Sequence, residues 1–321
     1  MVKNGEYRGV SHGKVILIGE HSVVYNQPAI VLPLEEARMS VRLNPRLDNS
    51  IFIDCEYFCG LLRHAPDMLS NIRVLVDRLI YDFSLKNKGF DLIVRSGIPH
   101  ERGMGSSAAV AVATVRAVAK FAGRALSFKE EFEYSQIAEN IAHSTASGLD
   151  SAAVASHSAV WFQRSVEIST FAFHTDAVLV VADTGITGST REAVSDVRSL
   201  LKSYDPNVSR ETWSHIHRLG QLSYESADAL RADSIHDLGE NMNEAQRVLS
   251  SLSVSHPALD RCIHAAHVAG AVGAKLTGGG RGGCMIALAQ SASYAQRIRK
   301  ALAQAGAIHT WLVPLESKGI Q

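Results

Sequence analysis

Apolar residues in the first third of the chain mostly follow strand patterns. The segment KVILI is continuously apolar after its lysine, RMSVRL alternates apolar and polar positions, and two more short apolar runs follow. Runs of this length, rich in branched residues, predict β-strands. The predicted strands are residues 14–18, 38–43, 51–53 and 90–95, and a predicted helix at 68–83 interrupts them.

Helical patterns dominate the rest of the chain. Residues 106–121 are rich in alanine and valine and too long for a strand, which predicts a buried helix. Residues 128–143 predict a second helix, with Ile137 and Ile141 four positions apart. The further predicted helices are residues 189–203, 211–231, 235–252, 257–269 and 292–305. The further predicted strands are residues 177–182, 273–276, 284–288 and 310–313.

Strands and helices are mixed in both halves, without repeats or low-complexity segments, which predicts an α+β fold in two domains. With 321 residues, 46% of them hydrophobic, the chain can bury a large core. The pattern places the boundary near residues 169–176, which gives an N-terminal domain at 1–172 and a C-terminal domain at 173–321.

Charge and cysteine content exclude several classes of partner. Lysine plus arginine and aspartate plus glutamate both number 32, and no basic run suits a nucleic acid or a membrane surface. The four cysteines show no CxxC pair or zinc-site spacing, which predicts reduced thiols. No signal-peptide pattern and no apolar stretch of about 18 residues is present. We therefore expect a cytoplasmic protein that captures any anionic substrate through local groups.

A glycine-bearing segment, PHERGMGSSAA at residues 99–109, lies between a predicted strand and a predicted helix. Bare backbone N–H groups at such a loop, followed by a helix N-terminus, suit phosphate oxygens. Two alternatives stay open at this point. The same glycine spacing meets the relaxed dinucleotide fingerprint, and a strand-to-helix turn can use glycine for structure alone.

Two further segments suggest a ligand site. KLTGGGRGGC at residues 275–284 holds five glycines, a density that favours a ligand-facing loop over a plain hairpin. KVILIGEHSVVYNQPAI at residues 14–30 places the polar triplet GEH at the exit of a predicted core strand. Charged residues at such a position are typical of functional sites, although His21 alone could equally be a structural histidine.

Together the three segments resemble the motifs of the GHMP kinase superfamily, named for galactokinase, homoserine kinase, mevalonate kinase and phosphomevalonate kinase. The central segment matches P-x-x-x-G-x-G-S-S-A-A, with Met104 where leucine is common. The first is similar to the mevalonate kinase form G-E-H-x-V-V-x-x-x-P-A-I, with Asn26 and Gln27 where glycine is frequent, whereas galactokinases continue G-E-H with T-D-Y. Residues 183–194 also resemble that branch, so the resemblance spans residues 14–284.

The resemblance implies a site for ATP and Mg²⁺. Mg²⁺ prefers a few protein oxygens and several waters, and the resemblance assigns it to Ser107 and Glu139. Neither a Walker P-loop pattern nor the protein-kinase motifs occur in the sequence. The loop residues implied to contact the ATP phosphates are Gly103, Met104, Gly105, Ser106, Ser107 and Ala108.

The resemblance also implies which groups act on the acceptor. Asp150, within S-G-x-D at residues 147–150, would accept the proton of the substrate hydroxyl, and Lys14 would pair with Asp150 near the γ-phosphate. The third glycine-bearing segment would support the substrate site. The residues implied to surround mevalonate are Glu20, His21, Thr190 and Gly279.

The expected activity is ATP-dependent phosphorylation of the C5 hydroxyl of (R)-mevalonate, giving 5-phosphomevalonate and ADP in isoprenoid biosynthesis. The resemblance implies an active site in the cleft between the two domains, and it is compatible with a homodimer. Alternatives are a GHMP kinase for phosphomevalonate or a sugar, or a non-catalytic sensor of ATP and a metabolite. The related diphosphomevalonate decarboxylase lacks the G-E-H triplet, which argues against it.

Overall fold

The computed structural model describes residues 7–142, 148–164, 166 and 168–318. The chain forms two compact units of mixed helix and strand. The first unit comprises Met1–Lys14, Pro33–Pro99 and Gly105–His157, and the second comprises Val15–Leu32, His100–Met104 and Ser158–Gln321. The chain passes from one unit to the other several times, and the division at residues 172 and 173 stays a prediction.

Every helix and strand that the pattern predicts is present, and most bounds agree within two residues. The strands are β1 (Tyr7–Ile18), β2 (Ala29–Pro45), β3 (Ile51–Cys55), β4 (Phe58–Leu61), β5 (Phe90–Ser96), β6 (Val160–Phe162), β7 (Ser169–Thr170), β8 (Ala172–Asp183), β9 (Gly273–Thr277), β10 (Cys284–Ala289) and β11 (His309–Lys318). The helices are α1 (Ser70–Asp82), α2 (Ser106–Phe121), α3 (Phe128–Ala142), α4 (Leu149–Ala155), α5 (Thr190–Leu201), α6 (Pro206–Arg231), α7 (Ile235–Ser251), α8 (Pro257–Val268) and α9 (Ala292–Gln304). His143, the predicted end of α3, and Ser147 of the S-G-x-D segment lie outside the described residues.

In the first unit, β5 is the central strand of its sheet. It pairs antiparallel with the second half of β2, from Met39 opposite Ser96 to Pro45 opposite Phe90. It also pairs in parallel with β3, which turns back into β4. Helix α2 is almost wholly buried because it packs against α1, α3 and α4. Its small alanine side chains allow the neighbouring helices to approach closely, which explains why an alanine-rich pattern predicts a core helix here.

The second unit contains a four-stranded antiparallel sheet in the order β11, β8, β10, β9. The central strands β8 and β10 pair from Asp183 opposite Cys284 to Val178 opposite Ala289, and every residue of this stretch except Val178 is buried. Burial on both faces explains why the predicted strand at residues 177–182 is continuously apolar. Helices α8 and α9 pack on this sheet, and α7 packs beside β9.

The structure differs from the predicted pattern in two main ways. Strands β1, β2, β8 and β11 extend well beyond their predicted bounds, to Tyr7, Ala29, Ala172 and Lys318 respectively, and several short elements are not predicted. Strands β4, β6 and β7 and helix α4 carry no periodicity that an 11-residue window could detect. Helix α6 begins before the predicted residue 211, at Pro206, because Asp205 caps it by accepting a hydrogen bond from the Asn207 N–H group at 2.9 Å. No described helix combines the length and the apolar character needed to cross a bilayer.

Candidate active site

The loop before α2 ends at Gly105, whose φ of +73° places it in the left-handed region. Only glycine adopts this conformation at low cost, and a side chain here would also meet Lys14, because a Cβ would lie 3.1 Å from its Cγ atom. Among the described residues, the N–H groups of Ser106, Ser107 and Ala108 at the start of α2 have no intrahelical partner and no side-chain cap. In the first unit, an anion-binding helix N-terminus and a lysine therefore lie together.

Lys14 and Asp150 form a close ion pair. Lys14 lies on β1 and Asp150 in the first turn of α4, and Lys14 Nζ is 2.8 Å from Asp150 Oδ1. The lysine side chain is 4% exposed and the carboxylate is 36% exposed. Gly148, at φ +86°, starts α4 with a left-handed residue and so directs the following carboxylate. The pair has one buried cation and one accessible carboxylate, an arrangement suited to proton acceptance beside a negatively charged reactant.

Glu139 lies on the buried side of α3 beside this pair. The pKa of Glu139 is raised to about 7, first by burial and then by the negative charge of Asp150, while the Ser107 hydroxyl and Lys14 oppose the increase. Its Oε1 atom has no hydrogen-bond partner among the described residues. Ser107 Oγ accepts a long hydrogen bond from Asn71 Nδ2 at 3.4 Å. Two carboxylates, a hydroxyl and an ammonium group thus share one region of the first unit.

A second group of predicted residues lies together in the second unit. His21 Nε2 donates to the Gly279 carbonyl at 3.0 Å, so its Nδ1 atom carries no proton in the neutral ring. Burial lowers the pKa of His21 to about 4, opposed by the Gly279 carbonyl and assisted by Arg281 and Lys275. A Cβ on Gly279 would lie 2.6 Å from Thr190 Oγ1, so the loop and the start of α5 are in close contact.

Glu20 is also in this group, but its side chain is 0% exposed and forms an ion pair with Lys275. Thr190 is the first residue of α5, and Ser189 caps the helix by accepting from the Glu192 N–H group at 3.2 Å. The second unit therefore brings together all four predicted substrate residues: Glu20, His21, Thr190 and Gly279. Their roles, like those of the first group, stay predictions.

Sequence reasoning assigned no role to two charged residues that hold the glycine-bearing segments. Lys275 is fully buried in β9, and its only signal was a lysine inside an otherwise apolar strand. Arg102 precedes Gly103 in the phosphate-loop segment, and its Nε atom is 3.0 Å from Asp183 Oδ1 at the end of β8. Arg102 Nη2 also donates to the Gly185 carbonyl at 3.0 Å. Arg102 thereby attaches the start of the loop to the end of β8.

Comparison with known proteins identifies the family of this chain. The sequence model of the GHMP kinases N terminal domain matches residues 71–158, and that of the GHMP kinases C terminal domain matches residues 226–308. The chain belongs to the GHMP kinase family, and its two GHMP kinase domains together with its mevalonate kinase relatives indicate an ATP-dependent kinase that acts on a hydroxyl group. Within this family, its relatives include mevalonate kinases.

The mevalonate kinase of Pyrococcus horikoshii is 35% identical over 297 residues, which are 86% of each chain. The structure of L. major mevalonate kinase in complex with R-mevalonate has a TM-score of 0.79 at 26% identity, covering 98% of this chain and 97% of the other. Mevalonate kinase from methicillin-resistant Staphylococcus aureus has a TM-score of 0.73 at 32% identity, covering 96% and 98%. The similarity thus extends over nearly the whole length of both partners.

Proposed function

We propose that this protein transfers the γ-phosphoryl group of ATP to the C5 hydroxyl of (R)-mevalonate, giving 5-phosphomevalonate and ADP. The observation that carries the proposal is the ion pair between Lys14 and Asp150, which joins a proton acceptor to a cation beside the N-terminus of α2. Its relatives that are mevalonate kinases support the choice of acceptor. The reaction belongs to isoprenoid biosynthesis, and we extend the proposal to a cytoplasmic location.

Phosphoryl transfer needs positioning and charge neutralisation more than covalent chemistry from the protein. In this proposal the loop at residues 103–108 binds the ATP phosphates through backbone N–H groups and the dipole of α2. Asp150 accepts the proton of the attacking hydroxyl. Lys14 pairs with Asp150 and offsets the negative charge of the transferred group. The buried position of Lys14 strengthens this interaction, because little water screens it.

The first unit also fits a divalent cation. The Oε1 atom of Glu139 is buried and unpartnered among the described residues, and the Ser107 hydroxyl lies beside this carboxylate. Two protein oxygens of this kind match the preference of Mg²⁺, so we assign the ion to Ser107 and Glu139. When bound, Mg²⁺ would neutralise charge on the β- and γ-phosphate oxygens. The raised pKa of Glu139 means that a cation would compete with a proton for the carboxylate.

The second unit supplies the groups that we assign to mevalonate. His21 is neutral at physiological pH, with its ring held by the Gly279 carbonyl, and Thr190 offers a hydroxyl at the N-terminus of α5. A helix N-terminus attracts a carboxylate such as that of mevalonate. Arg281, whose positive charge contributes to the low pKa of His21, lies in the same region, where it forms an ion pair with Asp196.

The proposal is tested by measuring ADP release from ATP and Mg²⁺ with mevalonate, phosphomevalonate, galactose and homoserine offered separately. Turnover with mevalonate alone is expected. Turnover with another acceptor would keep the kinase chemistry and overturn the roles of His21 and Thr190. Absence of turnover with all four, in a protein that binds ATP, would favour a sensor; the presence of Lys14, Ser107, Glu139 and Asp150 together argues against that alternative.

A further inference from the structure

The backbone at His21 is strained. Its φ of 60° and ψ of −43°, together with a hydrogen bond from the Ser22 N–H group to the Glu20 carbonyl at 2.7 Å, define a γ-turn of the rare kind with positive φ. A histidine gains nothing from this conformation, since its Cβ atom makes it costly. Such strain persists only where the surrounding contacts hold the residue in place, and it occurs preferentially at functional sites.

Lys275 and Glu20 provide one of these contacts. Both side chains are 0% exposed, and Lys275 Nζ donates to Glu20 Oε1 and to the Leu276 carbonyl, the latter at 2.7 Å. Lys275 lies in the middle of β9, opposite Ile286 of β10, so its backbone is fixed by the sheet. A charge buried this deeply is stable only with its partner present. The position of Glu20 therefore depends on Lys275.

Two more contacts join the same two segments. Thr277 Oγ1 accepts from the Ile16 N–H group at 2.9 Å and donates to the Ile16 carbonyl at 3.0 Å. His21 Nε2 donates to the Gly279 carbonyl at 3.0 Å. Residues 16–21 and 275–279 are thus joined at three places, and the buried ion pair lies next to the strained turn.

We propose that Lys275 is a positioning residue for the acceptor substrate: its ion pair with Glu20 holds the turn at His21 and the carbonyl of Gly279 in their binding geometry. Neither Lys275 nor Glu20 touches the substrate. The inference rests on the proposed function, and it replaces a direct substrate contact of Glu20 with an indirect role. Loss of the ammonium group would remove the buried ion pair that holds the Glu20 carboxylate, and the turn would relax away from its strained conformation.

The test is a double-mutant cycle of Lys275→Met, Glu20→Gln and the double variant, with KM for mevalonate, KM for ATP and kcat measured for each. Each single variant should raise KM for mevalonate about tenfold or more, as loss of a supporting partner does, with KM for ATP within about twofold. KM for mevalonate in the double variant should be no higher than in the more impaired single variant, because the two residues act as one unit. Multiplied effects in the double variant would overturn the proposal, since they would mean independent contacts.

Arg218→Met is the matched control, since it breaks an ion pair with Glu225 and Glu244 elsewhere in the second unit. It should lower stability without separating the two KM values, and a similar profile for Lys275→Met would reduce Lys275 to a structural role and overturn the proposal. If Lys275→Met does not fold, the test uses Glu20→Gln and the double variant. Equal increases in KM for mevalonate in these two variants support the coupling, and a wild-type KM in either of them overturns the proposal. If wild-type protein prefers another acceptor, the cycle is run with that acceptor, so failure of the two proposals is distinguished.

Discussion

Replacement of Glu139 by glutamine should stabilise the metal-free protein, and more so as the pH rises. The pKa of Glu139 is raised to about 7 by burial, above its ordinary 4.5, so the folded state holds the proton more tightly than the unfolded state. The stability that this difference contributes is complete below pH 4.5 and is lost as the pH rises through 7. Glutamine has the same shape and no charge, so the variant does not lose stability in this way as the pH rises.

The magnitude follows from the pKa. It lies about 2.5 above the ordinary value, and each pKa unit corresponds to about 1.4 kcal/mol. The buried carboxylate therefore lowers the free energy of unfolding by about 3.4 kcal/mol at pH 8 and by about 0.8 kcal/mol at pH 5. Since the side chain is only 4% exposed, solvent screening reduces this figure little. The difference in the free energy of unfolding between Glu139→Gln and wild type should grow by about 2.5 kcal/mol between these pH values.

Urea denaturation in the presence of a chelator, at pH 5, 6, 7 and 8 for both proteins, measures this difference. Glu133→Gln is the matched control, because Glu133 is exposed on the same helix. A difference for Glu139→Gln that stays constant with pH would refute the reasoning. A second arm adds Mg²⁺ at pH 8, which should raise the free energy of unfolding of wild type and not of Glu139→Gln. An equal response of both would reject Glu139 as a ligand.

Three further predictions concern the reaction and the backbone. Asp150→Ala and Lys14→Met should each lower kcat about a hundredfold or more with little change in KM for ATP, because both act at the reacting hydroxyl; small and equal changes in both constants would remove the pair from the mechanism. Gly279→Ala should raise KM for mevalonate, since the new methyl group would lie 2.6 Å from Thr190 Oγ1, and an unchanged KM in steady-state assays would exclude the loop from acceptor binding. Gly123→Ala should lower the free energy of unfolding by about 1 kcal/mol in urea denaturation, because φ is +71° there with open space around it; no change would contradict the conformational argument.

The long elements could be predicted because burial leaves a periodic record in the sequence. Helix α2 and the second half of β8, from Ala177 to Asp183, bury most of their residues, and both appear as apolar runs whose length separates helix from strand. Helix α4 could not be predicted in this way. It has seven residues, and its start depends on the left-handed Gly148, a conformation that spacing alone does not reveal.

The site could be predicted only as far as its residues follow local motifs. The loop at residues 103–108 and the triplet GEH are each continuous in sequence, so their chemistry was visible before their geometry. On α3, by contrast, the apolar residues predict the wrong buried face. Periodicity would bury Ile141 and expose Glu139, whereas Ile141 is 41% exposed and Glu139 is buried. Only resemblance selected Glu139.

Lys275 shows most clearly what could not be predicted from the sequence. A lysine within GAKLT predicts either an exposed strand face or a buried charge, and a buried charge requires a partner of opposite sign. Glu20 met the complementary description, a carboxylate at the exit of a core strand, yet the two residues are 255 positions apart and no spacing rule connects them. Each half of the pair was therefore recognisable as unusual, while the pairing itself depends on how β9 lies against the end of β1 within the second unit. A charged residue in an apolar segment therefore predicts a buried ion pair, but the partner residue can be identified only from a structure.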